Sequence, residues 1–431
     1  MLATNAPMFR GNQLAAAVYL GTKRLWARPE TLSLDFAADQ YKMGGIAELP
    51  TTRQFSDLIT FTRASGGGRF NASGQYEWLA ADQPRIDYDP VTGEAKGLLI
   101  EEQRTNLLTY SSDFSNAVWT KRGKFTVTPN AAKSPDGTAS ASLVTGLNSG
   151  TNDIYHQGIN SGGLAAEARY EPSVYVKKVT QTGTVNISNS YTPSYGDWTV
   201  DLSKVGDGWE RITRSHPAVT VVAEFKVHTT GYLGIQLRKT TAGEVSLYIW
   251  GAQLESGSFP TSYIPTTTAQ VTRAADAASV NVLSPWFNAS EGTLFVEFMP
   301  IGFTPAAVNG IASFSDGTTT DNRFQLRSWG TNQSASMTVF TGGVQRANTF
   351  EKGGVYSPLI RQKVAASWGP DKYSMVCNGE FIGEAANGHA LYPTQLQIGR
   401  GLGGTEMQGH YKAIRFYPKY LPVSQREALT A

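Results

Sequence analysis

Short runs in which apolar and polar residues alternate recur along most of this chain, and turns break them every few residues. Between about 106 and 276 they include "SVYVKKV", "GTVNIS", "WTVDL", "WERIT", "AEFKVHT", "YLGIQLR" and "EVSLYIWGAQLE". A period of two sends successive side chains to opposite faces, so each run predicts a half-buried strand. In the last of them Val245, Leu247 and Ile249 share one face, and Ser246, Tyr248 and Trp250 share the other. Many such runs at short spacing, with no amphipathic helix between them, predict a two-sheet sandwich of jelly-roll type.

A second set follows: "GTLFVEFMP", "NGIASFS", "RFQLRSW", "SMTVFTGG", "KVAASW", "YSMVCNGEFIGEA", "LQIGR" and "GHYKAIRFYPKYL". Asn378-Gly379 between two of these runs is a strong short-range hairpin signal. The closing "PVSQREAL" predicts one or two turns of helix. Between the two sets, "TTTAQVTRAADAAS" has no large apolar residue beyond Val271 and reads as a linker. Upstream, Val18–Leu20 and Lys23–Trp26 flank a Gly-Thr turn and predict a small hairpin, too short to bury a core alone. The expected fold is all-β. Residues 1–30 form an attachment hairpin, 31–105 a turn-rich β connector, 106–270 a jelly roll and 281–431 a second sandwich.

The exit from the first set, "YIWGAQLESGSFPTSYIPT" at 248–266, is specified at almost every position. Gly251 permits close backbone approach, and Gly257 supplies a turn conformation that other residues resist. Pro260 and Pro265 stiffen the way out, and Tyr263 and Ile264 are placed to cover the sandwich edge. The stretch reads as a closing strand and domain joint. The competing reading makes Glu255 a ligand for sugar or metal. Glu101 or Glu102 with Arg104 reads as a structural ion pair.

Composition narrows the function classes. Charged residues make up 17% of the 431 positions, against roughly 25% in an average soluble protein. The net charge is +2 and no Lys/Arg block stands out, so nucleic acid and membrane surfaces are not expected partners. Cys377 is the only cysteine, which excludes a disulfide framework and thiolate metal sites. "LAAAVYLG" runs into "TKRLWARP", a poor cleavage context, so no targeting signal is expected. The five histidines are scattered, and nucleotide-loop, zinc-helix and serine-elbow motifs are absent. Two carboxylates on facing strands would suffice for a glycosidase, with Asp201, Glu210 and Glu255 as candidates. No repeat of the kind that builds depolymerising β-helices is visible. We assign no catalytic residue and no metal ligand. Asp136, Asp316 and Asp321 read either as Asp-Gly turn residues or as oxygen ligands of a structural calcium, the one cofactor in view.

Sugar binding is the better functional candidate, because aromatic faces stack on pyranose C–H faces while amides and carboxylates take the hydroxyls. "SYTPSYGDW" gathers Tyr191, Tyr195, Asp197 and Trp198 in a turn-rich stretch, for which sugar contact, subunit contact and local packing are the three readings. Tyr155 and His156, beside Asp153, form a second polar-aromatic group. Tyr19, Leu25 and Trp26 of the first hairpin are the candidate attachment residues. Trp209 and Trp250 read as sheet packing.

Three sets of residues together resemble tailed-bacteriophage virion proteins. "LITFTRAS…RIDYDPVTGEAKGLLIEEQRTNLLTYS" is similar to the entry segment of phage fibre and adhesin proteins. "FSNAVWTK", "SPDGTASA", "YVKKV", "DGWERI" and "WGAQLESGSFPTSYIPT" resemble the carbohydrate-binding-module-like jelly roll of those proteins. "YSMVCNGEFIG…LQIGR…GHYKAIRFYPKYLPVSQREAL" resembles a laminin-G or concanavalin A-like sandwich. The resemblance implies a non-enzymatic fibre, spike or decoration subunit on the virion surface. Its implied partners are other virion proteins, copies of itself (a trimer is one arrangement) and host or environmental glycans. The alternatives are a structural collar or capsid ornament without ligand, and a polysaccharide depolymerase.

Overall fold

The structure is a computed structural model. It describes residues 30–431 except 47, 123–124, 148–152, 157–158, 161–168, 189–196, 224, 227–231, 234, 240–244, 306, 318–320, 349–351, 387 and 402–404, and it describes the backbone of four short strands before residue 30. The protein is all-β: among the described residues only Phe55–Leu58 and Val423–Thr430 are α-helical. Among the described residues no helix is long and apolar enough to cross a membrane. The N-terminal hairpin is present, Ala17–Leu20 pairing with Lys23–Ala27. The side chains of Tyr19, Leu25 and Trp26 lie outside the described residues.

Two compact units divide the chain. The central unit comprises Arg63–Glu94 and Glu102–Ala275; the C-terminal unit comprises Met1–Thr62, Ala95–Glu101 and Asp276–Ala431. The segment 31–105, expected as a connector, is therefore no body of its own. Strands Leu32–Asp35, Gln40–Met43 and Thr51–Arg53 extend a C-terminal sheet from its Gly409–Tyr417 strand, and Ala95–Ile100 pairs along the same strand. Thr60–Thr62 ends the opposing sheet against Ala277–Val280. Strands of three or four residues cannot bury a core alone, and an open sheet edge offers them unpaired backbone groups. The expected joint at 268–280 falls on the boundary at Ala275/Asp276, and each half is itself a short strand. Val271–Arg273 pairs with Arg104–Asn106 in the central unit.

In the C-terminal unit, one sheet runs in the order Glu380–Ala386, Lys372–Cys377, Gln362–Trp368, Gly292–Pro300, Gly409–Tyr417, then the three N-terminal strands. The other runs Val344–Asn348, Ser336–Thr341, Arg323–Trp329, Val308–Ser315, Gln395–Ile398, Ala277–Val280, Thr60–Thr62. Trp286, Phe314, Phe324, Trp368 and Phe416 fill the space between them. The hairpin at Asn378-Gly379 forms as expected, with φ of 49° and 76°, the left-handed pair that a two-residue hairpin turn requires.

The central unit is a two-sheet sandwich of jelly-roll type. One sheet has the order Thr126–Ala132, Ala141–Leu147, Val245–Ser256, Arg169–Lys178, Glu210–Ile212. The other has the order Trp119–Arg122, Asp153–His156, Gln236–Lys239, Thr184–Ser188, Asp197–Asp201, Val219–Ala223. Val174, Val176, Leu247 and Ile249 from the first sheet meet Ile187, Trp198, Val200 and Leu237 from the second in one buried core. The alternation read from the sequence thus fixes which residues face inward. We call the two sheets the Val245 sheet and the Gln236 sheet.

Candidate functional site

The Val245 sheet is closed on its outer face by its own exit segment. Val245–Ser256 lies inside the sheet, between Ala141–Leu147 and Arg169–Lys178. At Gly251, φ is 62°, and an added Cβ would sit 3.1 Å from the Tyr175 ring. The chain then folds back over the sheet. Gln253 Oε1 accepts from the Ile264 amide at 2.6 Å, and Glu255 accepts from the Thr261 amide at 3.1 Å and the Thr261 hydroxyl at 2.8 Å. The Tyr263 hydroxyl meets Ser111 Oγ at 2.6 Å, and Tyr76 donates to the Tyr263 carbonyl at 2.6 Å. Tyr76, Tyr175, Trp250 and Tyr263 form one ring cluster, with Phe70 and Trp209 packed against it. Trp250 and Trp209 are packing residues, as expected.

Charges in this layer are paired. Arg104 bridges Glu102 and Glu255, its Nε lying 3.5 Å from the Glu255 carboxylate. Arg211 donates to the Thr261 carbonyl at 2.6 Å and to Ser173 Oγ at 2.8 Å. Glu171 stands directly across from Glu255 in the strand register, with Arg214 at 3.6 Å. Burial pushes the Glu171 carboxyl up to about 7, Arg214 opposing and Glu255 adding to the rise. Burial also raises Glu255, against the pull of Arg104 and Arg211. Glu255 is thus held by its own protein, so its place is structural and not that of a sugar or metal ligand. The Glu102–Arg104 pair is structural, as expected.

The Gln236 sheet differs. Its inward positions are Ile187, Trp198, Val200 and Leu237, so the alternate positions form its outer face. Register aligns Tyr155, Gln236, Ser188 and Asp197 across four strands. The neighbouring row is Asp153, Arg238, Asn186, Thr199 and Thr220. Both rows are hydroxyl, amide and charge, with one phenol. Among the described side chains, Thr199 is half-buried, Thr220 exposed and Asn186 buried.

The sequence candidates separate on this frame. Tyr155 and Asp197 come together in one register row, although their side chains lie outside the described residues. His156 takes the other parity and shares a register position with buried Trp119. Trp198, read as part of a loop platform, is in the strand Asp197–Asp201 and 1% exposed in the core. Alternation with Val200 decides this: both face inward, and a ring sealed there cannot stack on a sugar from solvent. Tyr191 and Tyr195 lie outside the described residues. Gln236, Ser188, Arg238, Asn186 and Thr199 were not singled out from the sequence. Their signal was the polar half of "YLGIQLR", "GTVNIS" and "WTVDL", read only as strand pattern.

Other candidates are occupied locally. Asp201 accepts from the Ser203 amide at 3.0 Å and its hydroxyl at 2.7 Å, and these bonds hold its carboxyl below the usual carboxylate range. Glu210 meets His216 Nε2 at 2.8 Å. Asp136 accepts from Ser134 and Thr138, an Asp-Gly turn pattern. Burial pushes the Cys377 thiol up to about 12, which removes it as a nucleophile at neutral pH. Among the described residues no group of three or more His, Cys, Asp or Glu side chains could hold a metal ion.

No family model matches this chain, and no curated protein matches it. Among solved structures, the CBM40 of the Ruminococcus gnavus IT-sialidase is similar at 16% identity, over 33% of this chain and 84% of that one, with a TM-score of 0.29. The leech intramolecular trans-sialidase is similar at 12% identity over 33% of this chain and 23% of its own, with a TM-score of 0.29. The SAP-like pentraxin of Limulus polyphemus is similar at 11% identity over 33% of this chain and 70% of its own, with a TM-score of 0.26. These likenesses span a third of the chain, and neither residue roles nor ligands are carried over from them.

Proposed function

We propose that this protein is a non-catalytic glycan-binding β-sandwich protein, and that the outer face of the Gln236 sheet is its binding face. The observation that carries this reading is the contrast within one sandwich. The aromatic and acidic residues of the Val245 sheet are consumed by packing and mutual pairing. The Gln236 sheet instead presents contiguous rows of amide, hydroxyl and charged positions, with Tyr155 and Asp197 in register. Polar positions in register across neighbouring strands, with one aromatic position among them, are suited to sugar hydroxyls. Weak single sites gain effective affinity when several copies are displayed together.

The finer reading places this chain on a tailed-phage virion as a fibre, spike or decoration subunit. It rests on the sequence resemblance and on the N-terminal hairpin, whose strands pair but are too short to bury a core alone. Such a hairpin suits docking on another virion protein or on symmetry mates. Two experiments separate the levels. A broad glycan screen of the full chain tests binding; a blank screen leaves the collar or capsid-ornament role, and release of reducing ends from polysaccharide establishes a depolymerase. Labelling intact particles tests location, and deletion of residues 1–30 is expected to leave both sandwiches folded while abolishing incorporation.

A further inference from the structure

The C-terminal unit has a shallow cleft at one end of its sandwich. Strands Val308–Ser315 and Ser336–Thr341 end there, and Arg323–Trp329 and Gln395–Ile398 begin there. The base of the cleft is apolar, formed by Phe314, Phe324 and Leu391, all buried. Asn322, Phe340, Thr341 and Tyr392 line it nearer the surface. Its space is about 200 Å³ including the open mouth, below the roughly 300–1,000 Å³ of sites for drug-sized ligands. That suits one small ring, not a chain.

Tyr392 is 76% exposed, and no other aromatic among the described residues exceeds 43%. A loose backbone does not account for this. The Leu391 amide donates to the Ala289 carbonyl at 2.9 Å, and the Thr394 amide donates to the Ser315 carbonyl at 2.9 Å. Pro393 restricts φ between these two anchors. The ring is therefore held out at the rim of the cleft by a fixed segment, and an aromatic fixed in that way loses little entropy when a ligand stacks on it.

The polar groups beside it have directions set by bonds already made. Asn322 Oδ1 accepts from the Gly342 amide at 2.9 Å, which leaves the Nδ2 hydrogens to donate. Thr341 Oγ1 accepts from Arg346 Nε at 2.7 Å, which leaves the hydroxyl hydrogen to donate. Arg323 also lines the cleft, but its guanidinium lies 4.4 Å from the Phe340 ring centroid and Asp321 offsets its charge. The cleft thus presents a ring, an apolar base and two neutral donors, with no charge left to attract an ion.

We propose that this cleft is a second sugar site, taking a single uncharged pyranose residue. Tyr392 stacks on the C–H face of the sugar ring, and Asn322 Nδ2 and the Thr341 hydroxyl donate to its oxygens. The ligand class rests on the glycan-binding reading above, but the site is separate from the Gln236 sheet. One stacked ring and two donors make a weak site, useful when several copies act together.

The test is saturation-transfer NMR on the full chain with the methyl glycosides of glucose, galactose, mannose, rhamnose and N-acetylglucosamine. It is run in a Gln236→Ala, Asp197→Ala background, so that the Gln236 sheet does not contribute. At least one glycoside is expected to receive saturation there, most strongly at the C–H protons of one ring face. Tyr392→Ala should lower that signal fivefold or more at an unchanged melting temperature, while Tyr392→Phe should keep it. Asn322→Asp retains the acceptor for the Gly342 amide and removes the donors, so it should lower the signal threefold or more; it serves alone if Tyr392→Ala fails to fold. An undiminished signal in folded Tyr392→Ala overturns the proposal. So does a signal present in the parent and absent from the Gln236, Asp197 background, and that result leaves the glycan-binding reading standing. No signal from any of the five glycosides overturns the cleft as a sugar site, and the glycan screen of the full chain then decides the wider reading by itself.

Discussion

On the Val245 sheet the outward residues Glu171, Ser173, Tyr175, Trp250, Gln253 and Glu255 are at most 5% exposed. On the Gln236 sheet of the same sandwich, outward Thr199 is half-buried, Thr220 exposed and Asn186 buried. Both sheets obey the same alternation and share one core, so patterning does not distinguish them. What does is the chemistry of the outward set. Rings and oppositely charged pairs attract a covering segment and seal, because their burial is favourable only when every charge finds a partner. Tyrosine, tryptophan and glutamate together suggest a sugar platform in sequence, yet here they mark the closed face.

The largest effect should come from removing the centre of the closed face. Trp250 is 3% exposed, donates to Ser140 Oγ at 3.1 Å and touches Tyr76, Tyr175 and Tyr263. Trp250→Ala is expected to cost about 3–5 kcal/mol in denaturant unfolding. An unchanged midpoint would mean that the ring is not sealed, and the comparison would collapse.

Glu171 makes the closed face pH-sensitive. Its folded value of about 7 lies above the ordinary 4.5, so between these values the folded protein holds a proton that the unfolded chain has released. Stability from this group is therefore fully present below about 4.5 and is lost as pH rises through about 7. The slope should be negative over that window, at most ~1.4 kcal/mol per pH unit. Glu171→Gln should flatten it in urea melts taken across the window. A parent whose stability rises over the same range, with no change in the variant, would place Glu171 in contact with water.

Gly251 tests the turn that lets the exit segment fold back. At φ 62°, with the Tyr175 ring 3.1 Å from an added Cβ, Gly251→Ala should cost roughly 1–3 kcal/mol. A neutral result would show that the backbone there relaxes freely and that the cover is not locked from this point.

Much of this was legible in the chain. Alternation put Val245, Leu247 and Ile249 on one face and Trp250 on the other, and Asn378-Gly379 announced its turn. Local pattern could not say which distant strands pair. Leu32–Asp35 and Ala95–Ile100 both join Gly409–Tyr417, and nothing near residue 32 or 95 names that partner. The candidate face was hidden for the same reason, since Tyr155, Gln236, Ser188 and Asp197 come from four separated strands and become neighbours only through register. Trp198 sits in a ring-dense stretch that resembles a platform, but its alternation with Val200 turns it into the core.

The smallest stability effect, and the sharpest separation, should come from the open face. Gln236 and Asp197 stand two strands apart in one row, with Ser188 between them. Outward polar positions on a sheet that already has its core contribute little to folding, so Gln236→Ala with Asp197→Ala should shift stability by no more than about 0.5 kcal/mol per site. Binding should behave in the opposite way. A hydroxyl that loses its amide or carboxylate partner forfeits on the order of 1 kcal/mol, so two losses predict a fall of roughly tenfold or more in affinity for a glycan found in the screen. Trp250→Ala would lower binding only in proportion to the fraction unfolded, whereas the double variant would lower it in fully folded protein. Should the folded double variant bind like the parent, the Gln236 sheet is an outer wall and its polar rows serve solubility alone. The contrast between the two faces would then describe two ways of finishing a sandwich, with the ligand held elsewhere.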